Sequence, residues 1–172
     1  KAPGNSTKSM HGMLSRIIGS IGGVEPGPLV VVTAALHGNE PAGVYALEQA
    51  FQMLHAVSEL NMQGRMIGLI GNLQAYANHQ RFVERDFNRI WTAGRLAEIL
   101  PKEEADLHGE DREFFQLFHT IHGEIQRYKP EKIILLDLHT TSAGGGIFCI
   151  PTDEAESLHL AKALHAPVIL NL

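Results

Sequence analysis

Three side chains in this sequence could hold one metal ion: His37, Glu40 and His139. Two imidazoles and one carboxylate are a recurrent catalytic zinc set, with a fourth position left for water. His37 and Glu40 are three residues apart at an expected helix start, so both can face one ion. Gly38 between them lets backbone pass close by. A His-x-x-Glu alone is a weak signal, and so is a lone histidine. They gain weight together because each lies just past an apolar run that reads as a strand. In open parallel sheets, sites gather at the carboxyl ends of strands. The chain has ten histidines. His119 and His122, three apart on an expected helix, read as a solvated face. His11, His55, His79, His108, His159 and His165 have no second ligand at useful spacing. Cys149, between Phe148 and Ile150, reads as a small buried side chain rather than a reactive thiolate. Thr140, Thr141 and Ser142 could touch a substrate or cap the loop. The glycines at 144–146 lack the strand and helix context of a phosphate loop.

The elements that must position these residues alternate. Residues 29–35 are a continuous, β-branched apolar run, as expected for a buried strand. Pro41 stands where a first helical residue is favoured. Val44, Leu47, Ala50, Phe51, Leu54 and Val57 then recur at helical spacing. Residues 61–64 read as a loop and 65–71 as a second strand. Residues 72–91 are polar and irregular, and read as a long functional loop. A weak helix covers 93–100, and the charged stretch 101–111 reads as an exposed connection. Phe114, Phe115, Phe118, Ile121 and Ile125 mark an amphipathic helix over 112–128, with Pro130 after its end. Residues 132–138 are a third strand. A short strand at 147–150, a helix capped by Asp153 and running to about 165, and a strand beginning at 168–170 complete the reading. Alternating strands and helices imply an α/β fold, a mainly parallel twisted sheet with helices on both faces. Nothing in the sequence marks an internal domain boundary, so residues 1–172 read as one domain.

Composition narrows the class. The chain has 172 residues, 44% of them hydrophobic, enough for a core. A net charge of −5 gives no reason to expect nucleic acid or an anionic membrane surface as a partner. No apolar run approaches the ~20 residues of a membrane span. One cysteine excludes an internal disulfide framework and fits a reducing compartment, so a cytoplasmic location is expected.

Three motifs arrive in a specific order: His37-Gly38-Asn39-Glu40; Arg81 followed by Asp86-Phe87-Asn88-Arg89; and Asp137-Leu138-His139-Thr140-Thr141-Ser142. Over residues 28–150 this resembles the succinylglutamate desuccinylase/aspartoacylase family, a branch of the zinc carboxypeptidase superfamily. The resemblance implies a carboxypeptidase-like α/β fold, one zinc ion per chain, and hydrolysis of a small N-acyl amino acid such as N-succinylglutamate or N-acetylaspartate. It matches His37, Glu40 and His139 to the zinc ligands and Asp86 to a carboxylate that orients a ligand histidine. Asn88 and Arg89 match the pair that holds a substrate carboxylate, a task suited to the guanidinium fork. Arg81 matches the arginine that polarises the scissile carbonyl and opposes charge on the oxyanion.

Two departures stand against the pattern. Asn72-Leu73-Gln74-Ala75 lacks the proline the family often carries at its second position. The family's general-base glutamate lies well beyond the third ligand, and here only Glu154 and Glu156 follow His139, both on an expected surface helix. The chain therefore reads as the N-terminal portion of a longer enzyme, truncated before its base. Two other readings use the same metal site: a zinc carboxypeptidase or amidase on peptides or other amides, and a non-catalytic zinc-binding domain. An oligomer is compatible with the sequence.

Overall fold

The computed structural model describes residues 14–22, 25–57, 62–140 and 146–170. These fall into two compact units, one up to Thr140 and one beyond it.

The first unit is built on a four-stranded sheet. In chain order its elements are β1 (Ile17–Gly22), β2 (Leu29–Ala34), α1 (Ala42–His55), β3 (Arg65–Ile70), α2 (Leu73–Ala77), α3 (Phe87–Ile90), α4 (Ala93–Ile99), a 3-10 turn (Glu104–Asp106), α5 (Gly109–Tyr128) and β4 (Ile133–Leu138). The strand order is β1-β3-β2-β4. β2 is central and parallel to both β3 and β4, while β1 pairs antiparallel with β3. The expectation of a mainly parallel sheet with helices on both faces therefore holds, with one antiparallel strand added.

Alternation along β2 assigns the two faces. Leu29 and Val31 join Ile67, Leu69, Phe114 and Leu117 in one core, under α5. Val32 and Ala34 join Val44, Leu47, Phe51 and Ile70 in the other, under α1. Phe51 explains two glycines in mid-strand. Gly19 and Gly68 are paired in register. A Cβ on either would stand 2.6 Å from the Phe51 ring. The ring lies on a floor that only glycine leaves open.

β1 has no counterpart in the sequence reading. Its glycines and serine thin out the apolar signal that marks the other strands. Residues 72–91 hold two short helices, α2 and α3, where a continuous loop is expected. Residues 101–111 are not simply an exposed connection. α5 begins at Gly109, three residues earlier than expected, and Glu110 and Asp111 are buried. β4 forms as expected, yet it is an edge strand of the sheet. Ile133 and Leu135 extend the buried row of Leu29 and Val31 but are 47% and 51% exposed.

In the second unit α6 spans Ala155–Ala163. Its N-cap is Glu154, which makes no side-chain cap bond, so Asp153 does not cap it. The strands expected at 147–150 and 168–170 reduce to a single bridge between Cys149 and Val168. Two residues of pairing cannot sustain a ladder, which gains its stability from neighbouring cross-strand pairs. Cys149 is half-buried. The glycines at 144 and 145, like Thr141, Ser142 and His11, lie outside the described residues.

Candidate metal centre

Parallel pairing in register brings the ligands together. Ala34 at the end of β2 stands beside Leu138 at the end of β4. His139 follows directly. On the other strand the chain turns through Ala35, whose φ of 53° is left-handed. That conformation is uncommon for a residue with a Cβ and marks a constrained turn. Ala35 is tied there by its carbonyl, which accepts from the Asn72 N–H at 3.0 Å. Leu36 then enters the core and His37 and Glu40 reach the site, closed by a Glu40 N–H to His37 carbonyl bond of 3.0 Å. Gly38 permits this path. A Cβ there would lie 2.1 Å from the Ala75 carbonyl carbon and 2.2 Å from the Tyr76 nitrogen, both backbone.

His37, Glu40 and His139 each offer one ligand atom, all within 4.8 Å of one another. Among the described residues no other His, Cys, Asp or Glu group gathers in this way. His37 and Glu40 are buried. His37 Nδ1 lies 2.9 Å from Glu40 Oε1, and its Nε2 lies 3.0 Å from Asp86 Oδ1. His139 Nδ1 is 3.9 Å from Glu40 Oε2. Its Nε2 is 2.8 Å from the Asn88 amide nitrogen and 3.3 Å from Asp137 Oδ2. The two imidazoles stack with centroids 5.1 Å apart. Each ring thus turns Nδ1 toward Glu40 and anchors Nε2 on an outer partner.

The donor set fits a cation. A neutral imidazole owns one N–H, yet His37 has a carboxylate on both ring nitrogens. With the hydrogen on Nε2 for Asp86, the Nδ1 lone pair faces Glu40, another acceptor. Only a proton or a metal ion between them removes the conflict. Tetrahedral zinc at about 2.0–2.1 Å from its ligands sets them roughly 3.3 Å apart. The two Nδ1 to Glu40 distances bracket that value. Asp86 holding Nε2 is the arrangement that fixes a ligand histidine's tautomer and ring direction.

Glu40 is ready to ligate as an anion. Burial pushes its carboxyl up, but the Thr140 N–H at 2.8 Å and the neighbouring His37 and His139 together hold it below the usual range. Asp86 behaves alike: burial raises it, and His37, the Asn88 N–H and Arg81 outweigh that. Arg81 bridges the two carboxylates, 3.5 Å from Glu40 Oε1 and 3.5 Å from Asp86 Oδ2.

Of the residues singled out in the sequence, six come together: His37, Glu40, His139, Asp86, Arg81 and Asn88. Asn88, expected at a substrate carboxylate, here meets His139 instead. Arg89 is exposed; its backbone N–H bonds the Asp86 carbonyl at 3.0 Å, and its guanidinium bonds none of the six. Three contributors act in ways the sequence reading does not assign. Asp137 meets His139 and accepts from the Thr33 hydroxyl at 2.7 Å. Its signal is position, two residues before a ligand on one strand. The Thr140 N–H holds Glu40, and a backbone donor has no sequence signature. Glu110 holds the segment that carries Arg81, and it was hidden in a charged run.

The family model for the succinylglutamate desuccinylase/aspartoacylase catalytic domain matches residues 26–172. A probable aspartoacylase from Acaryochloris marina is 31% identical over 143 residues, 81% of this chain and 45% of that protein. A succinylglutamate desuccinylase from Pseudomonas paraeruginosa is 35% identical over 127 residues, 74% of this chain and 35% of that protein. The crystal structure of a succinylglutamate desuccinylase from Chromobacterium violaceum superposes with a TM-score of 0.64 at 22% identity, over 88% of this chain and 47% of that one. That likeness bears on the fold. The chain spans less than half the length of these relatives. On the match of the catalytic-domain model to most of its length, the chain belongs to the succinylglutamate desuccinylase/aspartoacylase family.

Proposed function

We propose that this chain carries the zinc site of a deacylase that hydrolyses the amide bond of a small N-acyl amino acid. The observation that carries the reading is His37, clamped between two carboxylates, with His139 completing a three-ligand group and Arg81 beside it. A zinc ion held by His37, Glu40 and His139 would supply an acidified water and a polarised acyl carbonyl. Asp86 keeps His37 oriented. Arg81 stands where a fixed cation can oppose the charge that develops on the carbonyl oxygen. Arg89, exposed and with no ion pair to its guanidinium among the described residues, could grip a substrate carboxylate through its planar fork. Asn88, two residues after Asp86, would leave His139 to join it.

The proton carrier is proposed to lie outside residues 1–172. Glu40 is committed to His37 and the Thr140 N–H. Glu84 packs its carboxyl group against Gly109, and Glu110 is committed to backbone donors. The relatives' names point to N-acetylaspartate or N-succinylglutamate as substrate. The proposed enzyme is a single catalytic domain in the cytoplasm. No helix among the described residues is long and apolar enough to cross a membrane.

The test is metal content and turnover of the full-length enzyme with N-acetylaspartate, N-succinylglutamate and a peptide of free C-terminus. One zinc per chain is expected, with cleavage of an N-acyl amino acid lost on chelation. His37→Ala should abolish both. Full turnover in metal-free protein sinks the zinc reading, and preference for the peptide sinks the substrate class.

A further inference from the structure

Glu110 is a carboxylate with 1% exposure in the first turn of α5. A charge taken that far from water is costly unless its oxygens are fully bonded. Here four N–H groups fill them. Oε1 accepts from the Val83 N–H at 2.5 Å and from the Asn72 amide at 3.0 Å. Oε2 accepts from the Glu84 and Arg85 N–H groups at 2.8 and 2.9 Å. Three consecutive backbone donors converging on one anion form a nest. The Arg85 guanidinium turns to Asp111 instead. Burial pushes the Glu110 carboxyl up, and the four donors outweigh it, holding it below the usual range.

The captured segment matters for what flanks it. Residues 79–85 have no helix or strand of their own. Arg81 lies two residues before the captured N–H groups and Asp86 one residue after. Arg81 and Asp86 are the two residues of this segment that touch His37 and Glu40. Asn72 extends the anchor: its amide donates to Glu110 while its Oδ1 accepts from the Ala75 N–H and caps α2. The backbone of α2 is what Gly38 packs against.

We propose that Glu110 is a positioning residue, whose carboxylate fixes residues 81–86 so that Arg81 and Asp86 are presented to the His37, Glu40 and His139 group. This rests on the roles proposed above for Arg81 and the metal ligands. A purely structural Glu110 would change how much protein is folded. A positioning Glu110 changes what each folded molecule does.

The experiment uses the full-length enzyme and Glu110→Gln, with Glu110→Asp as the charge-keeping variant. Glutamine keeps the volume but turns an NH₂ toward two N–H donors. Both are assayed well below their unfolding temperatures. Backbone exchange at 83–85 should quicken in Glu110→Gln while that of β2 stays unchanged. Zinc affinity, read by chelator competition, should fall by about 10-fold, the lower end for disturbing a partner behind a ligand. The kcat/KM should fall by about 10- to 100-fold, since small misplacements of a reacting geometry cost that much. In an Arg81→Ala background the same change should cost kcat/KM less than in the unmutated enzyme, because groups in one network are not additive, while the loss of zinc affinity, which runs through Asp86, should persist. Glu110→Asp should recover part of each loss; if Glu110→Gln does not fold, the Asp variant is expected to show the same pattern more weakly. Equal losses of kcat/KM with and without Arg81 overturn the proposal. So does faster exchange at 83–85 with unchanged zinc affinity and kinetics. If the unmutated enzyme binds zinc but cleaves no N-acyl amino acid, the functional reading fails alone. Zinc affinity then decides the positioning role, and an unchanged value in Glu110→Gln overturns it.

Discussion

Arg81 and Arg89 share one segment but meet different surroundings, and they should fail differently. Arg81 stands between Glu40 and Asp86. Arg89 points to solvent. In the full-length enzyme Arg81→Ala is expected to lower kcat by around 10²–10³, as for loss of one oxyanion donor. Arg89→Ala is expected chiefly to raise KM, since a substrate carboxylate is charged in ground and transition states alike. Lysine should rescue Arg89 poorly, because an ammonium has no bidentate fork. Steady-state kinetics with metal analysis of the same samples decides. An Arg81→Ala enzyme changed only in KM would refute the assignment. At this scale the meeting of His37, Glu40 and His139 was legible because they sit at strand ends in ordered motifs. Glu110 was not. In a run that also holds Glu103, Glu104 and Asp106, a buried acid looks like its solvated neighbours. What separates it is four donors from 25 to 38 residues away, which only folding brings near.

The ligand-bearing elements depend on one close approach. Gly38 lies between two candidate ligands, with its α-carbon against the backbone of α2. A side chain there meets main-chain atoms, which cannot rotate aside as the tip of a side chain can. Gly38→Ala is expected to push the 37–40 turn away from α2. The cost should be about 1–3 kcal/mol, the range for overpacking, together with weakened zinc binding. Thermal unfolding with and without chelator measures both. An alanine variant with unchanged midpoint and zinc affinity would show that α2 gives way freely. The sequence shows this glycine but not its neighbour, because α2 is only five residues long, capped by Asn72 within a longer segment that reads as irregular. Long or continuous apolar patterns were legible: β2, β3, β4, α1 and α5. Elements held by tertiary bonds were not. β1 is thinned by Gly19, whose reason is the Phe51 ring. The start of α5 was misread for the same reason as Glu110.

At the scale of the molecule, the proposed zinc binding and the proposed hydrolysis are separable. The sheet sets the strand ends that carry the candidate ligands side by side, since β2 and β4 run parallel in register. Turnover needs more: a group to move the proton of the attacking water and walls for the substrate. The carboxylates that the structure places at the ligands are Glu40, Asp86 and Asp137, and each is already bonded to a histidine or a hydroxyl. β4 forms an edge of the sheet, where Ile133 and Leu135 stand about half exposed beside a buried row. An open apolar strand of this kind invites pairing with another chain, so residues 1–172 are best studied alone at low concentration. Expressed so, they are expected to bind one zinc per chain. Their hydrolysis of N-acetylaspartate or N-succinylglutamate should be lower than that of the full-length enzyme by at least about 10², the lower end of what general acid–base help contributes. Metal analysis and turnover on the same preparation make the comparison. Fragment turnover close to the full-length rate would place the proton carrier within residues 1–172. Failure to bind zinc would mean that the ligand group needs residues beyond the sheet that carries it.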